Sequence, residues 1–314
     1  MRSLVVGVDG SPSSLGALRW AADVVGPDGE LHALVAVRPR PELAEGSLDR
    51  DSIDDLFRLE HELARVSREA ISATVGTVLV TAVGENASDA LRAAAVDHGA
   101  DAMVVGTHVS ALGMPKRLGS TLKNLMTDLP CPLVVVPDPP WPGVPDGPIV
   151  VGVGYGPSTR AAVCWAAGRA AEAARSLAIV RATGEGPVFQ IDGWLNFVAY
   201  YIDPAMRDQW TREDLDEFAR LAQLETSGEI EIATAALPGL PATQLVGESE
   251  RAALLVIGQH RSWGRSNQHV AQPLHHALTH ARCPVVVIPA PGDDASDDDD
   301  ATDPAGRDDT GSTG

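Results

Sequence analysis

Short apolar runs alternate along this chain with stretches of helical spacing. Leu4–Val8 is an apolar run, Ser13–Val25 places Leu15, Leu18, Ala22 and Val25 at helical intervals, and Leu31–Val37 is apolar again. A long helix is predicted over Ser52–Val75, built on Ile53, Leu56, Leu59, Leu63 and Val66. Val78–Val83, Ser88–Val96, Ala102–Val105, a Gly-containing loop, Leu118–Leu125 and Leu133–Val136 continue the alternation. Val- and Leu-rich runs without polar alternation suit strands buried on both faces. Strands that alternate with helices predict an α/β fold: an open parallel five-stranded sheet with helices on both sides.

The pattern then repeats. Val5-Val6-Gly7-Val8-Asp9-Gly10-Ser11 returns as Val150-Val151-Gly152-Val153-Gly154-Tyr155-Gly156, and Trp20-Ala21-Ala22 as Trp165-Ala166-Ala167. Val104-Val105-Gly106 returns as Val256-Ile257-Gly258, and the Cys131–Pro137 run as Cys283–Pro289. The offset is 145 residues at the front and 152 at the back, so the second copy carries a net insertion. Two copies in order predict a tandem protein with two such sheets. The predicted division is a first domain over 1–137, a Pro/Gly linker over 138–147, a second domain over 148–290 and a tail over 291–314.

Charge and composition narrow the function classes. Residues 292–314 hold nine Asp and one Arg with no large apolar residue, so the tail is predicted to be disordered. The formal net charge of -19 over 314 residues argues against nucleic-acid binding and gives no support for an anionic membrane surface. The first strand starts by residue 3 or 4, and no run of 18 apolar residues occurs; neither a signal peptide nor a membrane span is expected. Three cysteines, Cys131, Cys164 and Cys283, fit a reducing compartment, and a cytoplasmic location is expected. Cys131 and Cys283 each precede a Pro and an apolar strand, which reads as small core residues rather than nucleophiles.

One motif carries chemistry. Gly106-Thr107-His108-Val109 is followed by nine residues, Gly119-Ser120, a helix and Cys131-Pro132-Leu133-Val134-Val135-Val136, while Asp9 closes the first strand. This constellation resembles the universal stress protein family, whose nucleotide-binding signature is G-x2-G-x9-G-[S/T] with an Asp after strand one. The likeness covers residues 2–137 well and 148–290 as a worn copy. It implies a Rossmann-like site for ATP, with or without Mg2+. Asp9 would then meet the adenosine, Ala36 would present backbone groups to the adenine edge, and Gly106, Gly119 and Ser120 would hold ribose and phosphates. Independently, ligands of open parallel sheets sit beyond the carboxyl ends of strands. Gly119, Ser120 and Thr121 open a helix, where free N–H groups favour phosphate. Bland readings stand beside these: Asp9 as a cap of the helix from Ser13, Gly106 as a turn glycine, Ser120 as a cap. The second signature glycine is Val109 here, with Gly113 nearby, and Lys116 and Arg117 lie between the two glycines.

The second copy departs further. Gly154 stands where Asp9 would be, and Arg261 and Ala271-Gln272 fill the later signature positions. No site of the family's type is expected over 148–290, and Arg261 and Arg265 read as a solvated loop. An aromatic-rich insertion over 186–212 belongs to a stretch that carries Phe189, Trp194, Phe197, Tyr200, Tyr201, Trp210 and Phe218. It is read as packing on its own domain, with an apolar ligand site or partner surface as alternatives. His275, His276 and His280 are read as a helix face rather than a metal site, since no third ligand has motif spacing. The expectation is an ATP-binding regulatory or stress-response protein with one nucleotide site, in the first domain. The alternatives are a nucleotide-independent scaffold or dimerisation module and, behind it, a slow ATPase; dedicated catalysis is not expected, because neither a Walker loop nor a pyrophosphate loop is present. The family's last strands pair across a dimer interface, which implies an intramolecular pseudo-dimer through Leu133–Val136 and Val285–Ile288, and leaves a homodimer open.

Overall fold

The computed structural model describes residues 1–26, 28–37, 76–83, 86–107, 118–138, 146–154, 158–184, 204–259 and 272–290. The first half contains β1 (Ser3–Gly7), α1 (Pro12–Val25), β2 (Glu30–Val37), β3 (Gly76–Val83), α2 (Ala87–Asp97), β4 (Ala102–Gly106), α3 (Ser120–Leu125) and β5 (Leu133–Val136). The second contains β6 (Ile149–Gly152), α4 (Thr159–Glu172), β7 (Leu177–Ala182), α5 (Pro204–Glu225), β8 (Ile232–Leu237), α6 (Pro241–Ser249), β9 (Leu254–Gly258), α7 (Gln272–His280) and β10 (Val285–Ile288). The predicted strands of the first half fall within a residue or two of these. The helix predicted over 52–75, the centre of the linker, most of the 186–212 insertion and the tail lie outside the described residues.

The strands form one ten-stranded sheet in the order β3-β2-β1-β4-β5-β10-β9-β6-β7-β8. Every neighbouring pair is parallel except β5 and β10, which run antiparallel with Leu133 opposite Val287, Val134 opposite Val286 and Val135 opposite Val285. The two sheets expected from the repeat are therefore halves of a single sheet. Each of these short strands would otherwise leave a row of unpaired N–H and C=O groups at an apolar edge.

Both faces of the sheet are covered. On one, α1 and α4 pack Leu18, Trp20, Val163 and Ala166 against Val6, Val104, Val134, Val151 and Val286. On the other, Leu91, Leu125 and Leu278 pack against Val5, Met103, Val135 and Leu255. Each apolar layer runs across both halves. This two-sided burial is why the strands read as continuous apolar runs. Phe218 of α5 packs on the first of these layers, whereas Trp210 of the same helix is exposed. Among the described residues no helix is long and apolar enough to cross a membrane.

In the first half, strand order reverses between β1 and β4: the chain moves outward from β1 to β3, then returns to the other side of β1. The loops after β1 and β4 part there, and a crevice opens beyond the strand ends.

Candidate functional site

The crevice is a cavity of about 240 Å³ lined by all six residues singled out in the sequence: Asp9, Ala36, Gly106, Gly119, Ser120 and Thr121. Four structural elements contribute them. β1 ends before Asp9, β2 supplies Ala36, β4 ends at Gly106, and Gly119 precedes α3.

Local hydrogen bonding places Asp9. Its carboxylate Oδ1 accepts from the Ser11 N–H at 2.9 Å, an Asx turn. Its own N–H donates to Ser14 Oγ at 3.3 Å, and the intervening Gly10 has φ 80°, a left-handed conformation suited to glycine. The helix cap is Ser11, whose Oγ accepts from the Ser14 N–H at 3.2 Å, with Pro12 in the first turn. The expected alternative, Asp9 as the cap of a helix from Ser13, is thus corrected: the helix starts one residue earlier and Ser11 does the capping. Asp9 remains exposed. Partial burial pushes its pKa up, but hydrogen bonds from Ser11 and Ser14 outweigh this and hold it below the ordinary carboxylate value.

Gly106 has a packing reason of its own. A Cβ there would lie 2.3 Å from the Ser13 carbonyl oxygen and 2.9 Å from the Ser14 nitrogen, so β4 and the start of α1 could not approach as they do. Gly258 is its counterpart: a Cβ would lie 2.5 Å from Ser158 Oγ. Strand–helix contact thus explains why this glycine occurs in both halves.

Gly119 differs. Its φ of −61° and ψ of 159° suit any residue, and among the described residues a Cβ would meet nothing within 4 Å. It is the N-cap of α3, and no side chain caps that end; Ser120 is not the cap. The helix is held from its other end, where Arg92 of α2 donates to the Asp128 carbonyl at 2.8 Å and to the Asn124 carbonyl.

The sequence reading missed part of the wall. Thr107 lines the cavity, with its N–H bonded to the Val136 carbonyl at 2.9 Å. Its place beside Gly106 could have flagged it. Leu278 and Thr279 also line the cavity, and they come from α7 in the second half. No local pattern marks them, because Leu278 reads as the apolar stripe of its own helix. Val109, Gly113, Lys116 and Arg117 lie outside the described residues, as do Arg261, Arg265 and Ala271.

At the matching place in the second half, Gly154 brings no carboxylate. Ser158 Oγ donates to the Gln259 carbonyl at 2.5 Å. Gln259 follows Gly258 as Thr107 follows Gly106, and its N–H bonds the Ile288 carbonyl at 2.7 Å. Thr107 Oγ1 turns back to the Val136 carbonyl at 3.3 Å. Gln259 is longer and reaches out: its Nε2 donates to the Met126 carbonyl, at the end of α3, at 2.5 Å.

The remaining candidates have local partners. The His276 and His280 rings stack with centroids 4.2 Å apart, and His280 Nδ1 lies 2.7 Å from Thr279 Oγ1. Burial, then the Lys123 charge, then the neighbouring imidazoles lower the pKa of His275. Burial raises the thiol pKa of Cys131 to about 11 and of Cys283 to about 12, so both stay protonated near neutrality.

Comparison with known proteins agrees with this architecture. The sequence profile described as the Universal stress protein family matches residues 1–137. Universal stress proteins Rv2623 and MT2698, from two strains of Mycobacterium tuberculosis, are each 27% identical to this chain over 299 residues, spanning 90% of it and 95% of the relative. The crystal structure of a universal stress protein from Archaeoglobus fulgidus DSM 4304 superposes with a TM-score of 0.64 at 15% identity, covering 93% of this chain and 97% of that one. At that identity the likeness concerns the fold. Strand order, repeat and profile converge: residues 1–137 match the universal stress protein family profile, and the chain is similar over 90% of its length to proteins of that name.

Proposed function

We propose that the first half binds ATP in the cavity at the β1/β4 switch point, and that the protein works as a cytoplasmic regulator of the stress-response class rather than as a dedicated enzyme. The observation that carries this reading is Gly119. Neither its backbone angles nor any described neighbour calls for glycine there, and Gly119 itself lines the cavity. A ligand that approaches the backbone closely accounts for it. The lining divides by chemistry. Asp9 is an ionised acceptor that suits ribose hydroxyls and repels phosphate. Leu34, Ala36 and Leu91 offer an apolar wall for a base, and the hydroxyls of Ser120 and Thr121 with nearby backbone donors suit phosphate oxygens. Asp9 is the one carboxylate among the described lining residues, so a Mg2+ entering with ATP would be held by phosphate and water.

Domains over 1–137 and 148–290, joined by the 138–147 linker, are part of the same proposal. So is the reading of the β5·β10 seam as the intramolecular counterpart of the family's dimer contact; the β3 and β8 edges remain outside that seam, which leaves a homodimer open. The test is calorimetric titration of ATP into nucleotide-stripped protein, with Asp9→Ala alongside. One ATP per chain, lost or strongly weakened in the variant, is expected. Two per chain would overturn the assignment to the first half alone, and no binding at millimolar ATP would favour a nucleotide-independent scaffold.

A further inference from the structure

We infer that the nucleotide site of the first half is composite: the second half builds one wall of it through Leu278 and Thr279 and anchors another through Gln259. This rests on the reading of the cavity as a nucleotide site. Two independent observations carry it. First, Leu278 and Thr279 line the same cavity as Asp9 and Gly119, although some 160 residues separate them from Gly119 along the chain. The antiparallel β5·β10 pairing turns the second half about, so that α7 lies on the sheet face that carries α3. The Lys123 charge felt by His275 reports the same proximity. Leu278 is buried in the apolar layer that both halves share, and the Thr279 hydroxyl is tied to the His275 carbonyl at 2.8 Å. The wall is therefore firmly set rather than loosely apposed.

Second, α3 is gripped by the second half. Its first residues, Ser120 and Thr121, line the cavity, and the Met126 carbonyl just past its last turn accepts from Gln259 Nε2 at 2.5 Å. Gln259 is 8% exposed, and its Oε1 accepts from the Ala290 N–H at 3.4 Å. The amide thus links α3 of the first half to the strand ends of the second. A six-residue helix moves as a unit, so the grip at Met126 sets where Ser120 and Thr121 stand. Gln259 is a positioning residue for the site, and Thr279 is a wall residue.

The difference between the halves follows from the same pair of positions. Thr107 is short, and its hydroxyl stays within the first half, bonded to the Val136 carbonyl of the neighbouring β5. Gln259 projects from the matching place in the second half and spans to Met126. One substitution in the repeat thus accounts for the crossing link. The second half serves here as a structural subunit of a site in the first.

The full-length chain tests this by ATP titration and amide hydrogen exchange on the wild type, Gly119→Val, Thr279→Trp and Gln259→Leu. ATP is expected to slow exchange across residues 272–280 as well as 118–125. Thr279→Trp, which adds bulk at the wall, should weaken ATP binding tenfold or more while the thermal midpoint without nucleotide stays near wild type. Gln259→Leu should weaken binding and speed exchange over 118–125 in the free protein. A wild type that binds ATP and loses it in Gly119→Val, but shows no protection over 272–280 and no effect of Thr279→Trp, overturns the composite site and leaves the nucleotide reading standing. A wild type that binds no ATP overturns that reading, and the composite site with it.

Discussion

A Cβ on Gly106 would sit 2.3 Å from the carbonyl oxygen of Ser13, closer than two such atoms ever approach. The end of β4 and the first turn of α1 are in backbone contact at the mouth of the crevice, and this contact sets the floor on which Asp9 and Thr107 stand.

Gly106→Ala must push α1 away, and overpacking of this kind costs about 1–3 kcal/mol. Urea unfolding should show that loss. Gly258→Ala should cost less, because the nearest atom to its new methyl is the rotatable Ser158 hydroxyl oxygen rather than backbone. Equal stability of wild type and Gly106→Ala would mean that the close approach is not a constraint on the fold.

Gly119→Ala separates folding from binding. Its backbone angles are ordinary and no described residue crowds its Cβ position, so unfolding free energy should stay within about 1 kcal/mol of wild type, the range of N-cap exchanges. ATP affinity should nevertheless fall several-fold in calorimetry. Unchanged affinity would remove the main support for a ligand at this glycine.

Asp9 links the site to acid stability. Burial raises its pKa, but the Ser11 and Ser14 hydrogen bonds outweigh this and hold it below the ordinary carboxylate value. A carboxylate depressed in the folded state contributes stability that is present above the unfolded pKa and is lost as pH falls through the folded one. Asp9→Asn should therefore be less stable than wild type at pH 7, with the gap closing only below about pH 4. Acid titrations of both proteins followed by circular dichroism would show it; a gap that is constant with pH would rule out the ionic contribution.

His32 makes stability pH-dependent in a second range. It is buried on β2, with its ring stacked on His98 at a centroid distance of 4.1 Å. Burial first, then the His98 charge, lowers its pKa below 6.5, against a smaller opposing pull from Glu30. Stability from keeping this imidazole neutral is complete above about pH 6.5 and declines as pH falls through the folded pKa. His32→Phe should flatten, without abolishing, the decline below that pH, because His275 and His276 are also shifted downward. Parallel pH profiles for the two proteins would refute the assignment.

Much of this protein is written locally. The apolar runs and helical spacings predict the described strands of the first half to within a residue or two, because two-sided burial demands Val and Leu at successive positions, and the internal repeat follows by direct comparison. The motif and the family resemblance it carries singled out Asp9, Ala36, Gly106, Gly119, Ser120 and Thr121, all of which line one cavity. Tertiary structure decided the rest. It separated Gly106, required by the Ser13 backbone, from Gly119, which has no such requirement. It set the antiparallel register of the β5·β10 join, which the family resemblance implied only as a pairing, and it carried Leu278 and Thr279 of the second half to the first half's crevice and Gln259 to the end of α3. These outcomes depend on contacts between residues far apart in the chain. A periodic pattern states which face of an element is apolar, but not which distant surface will cover it.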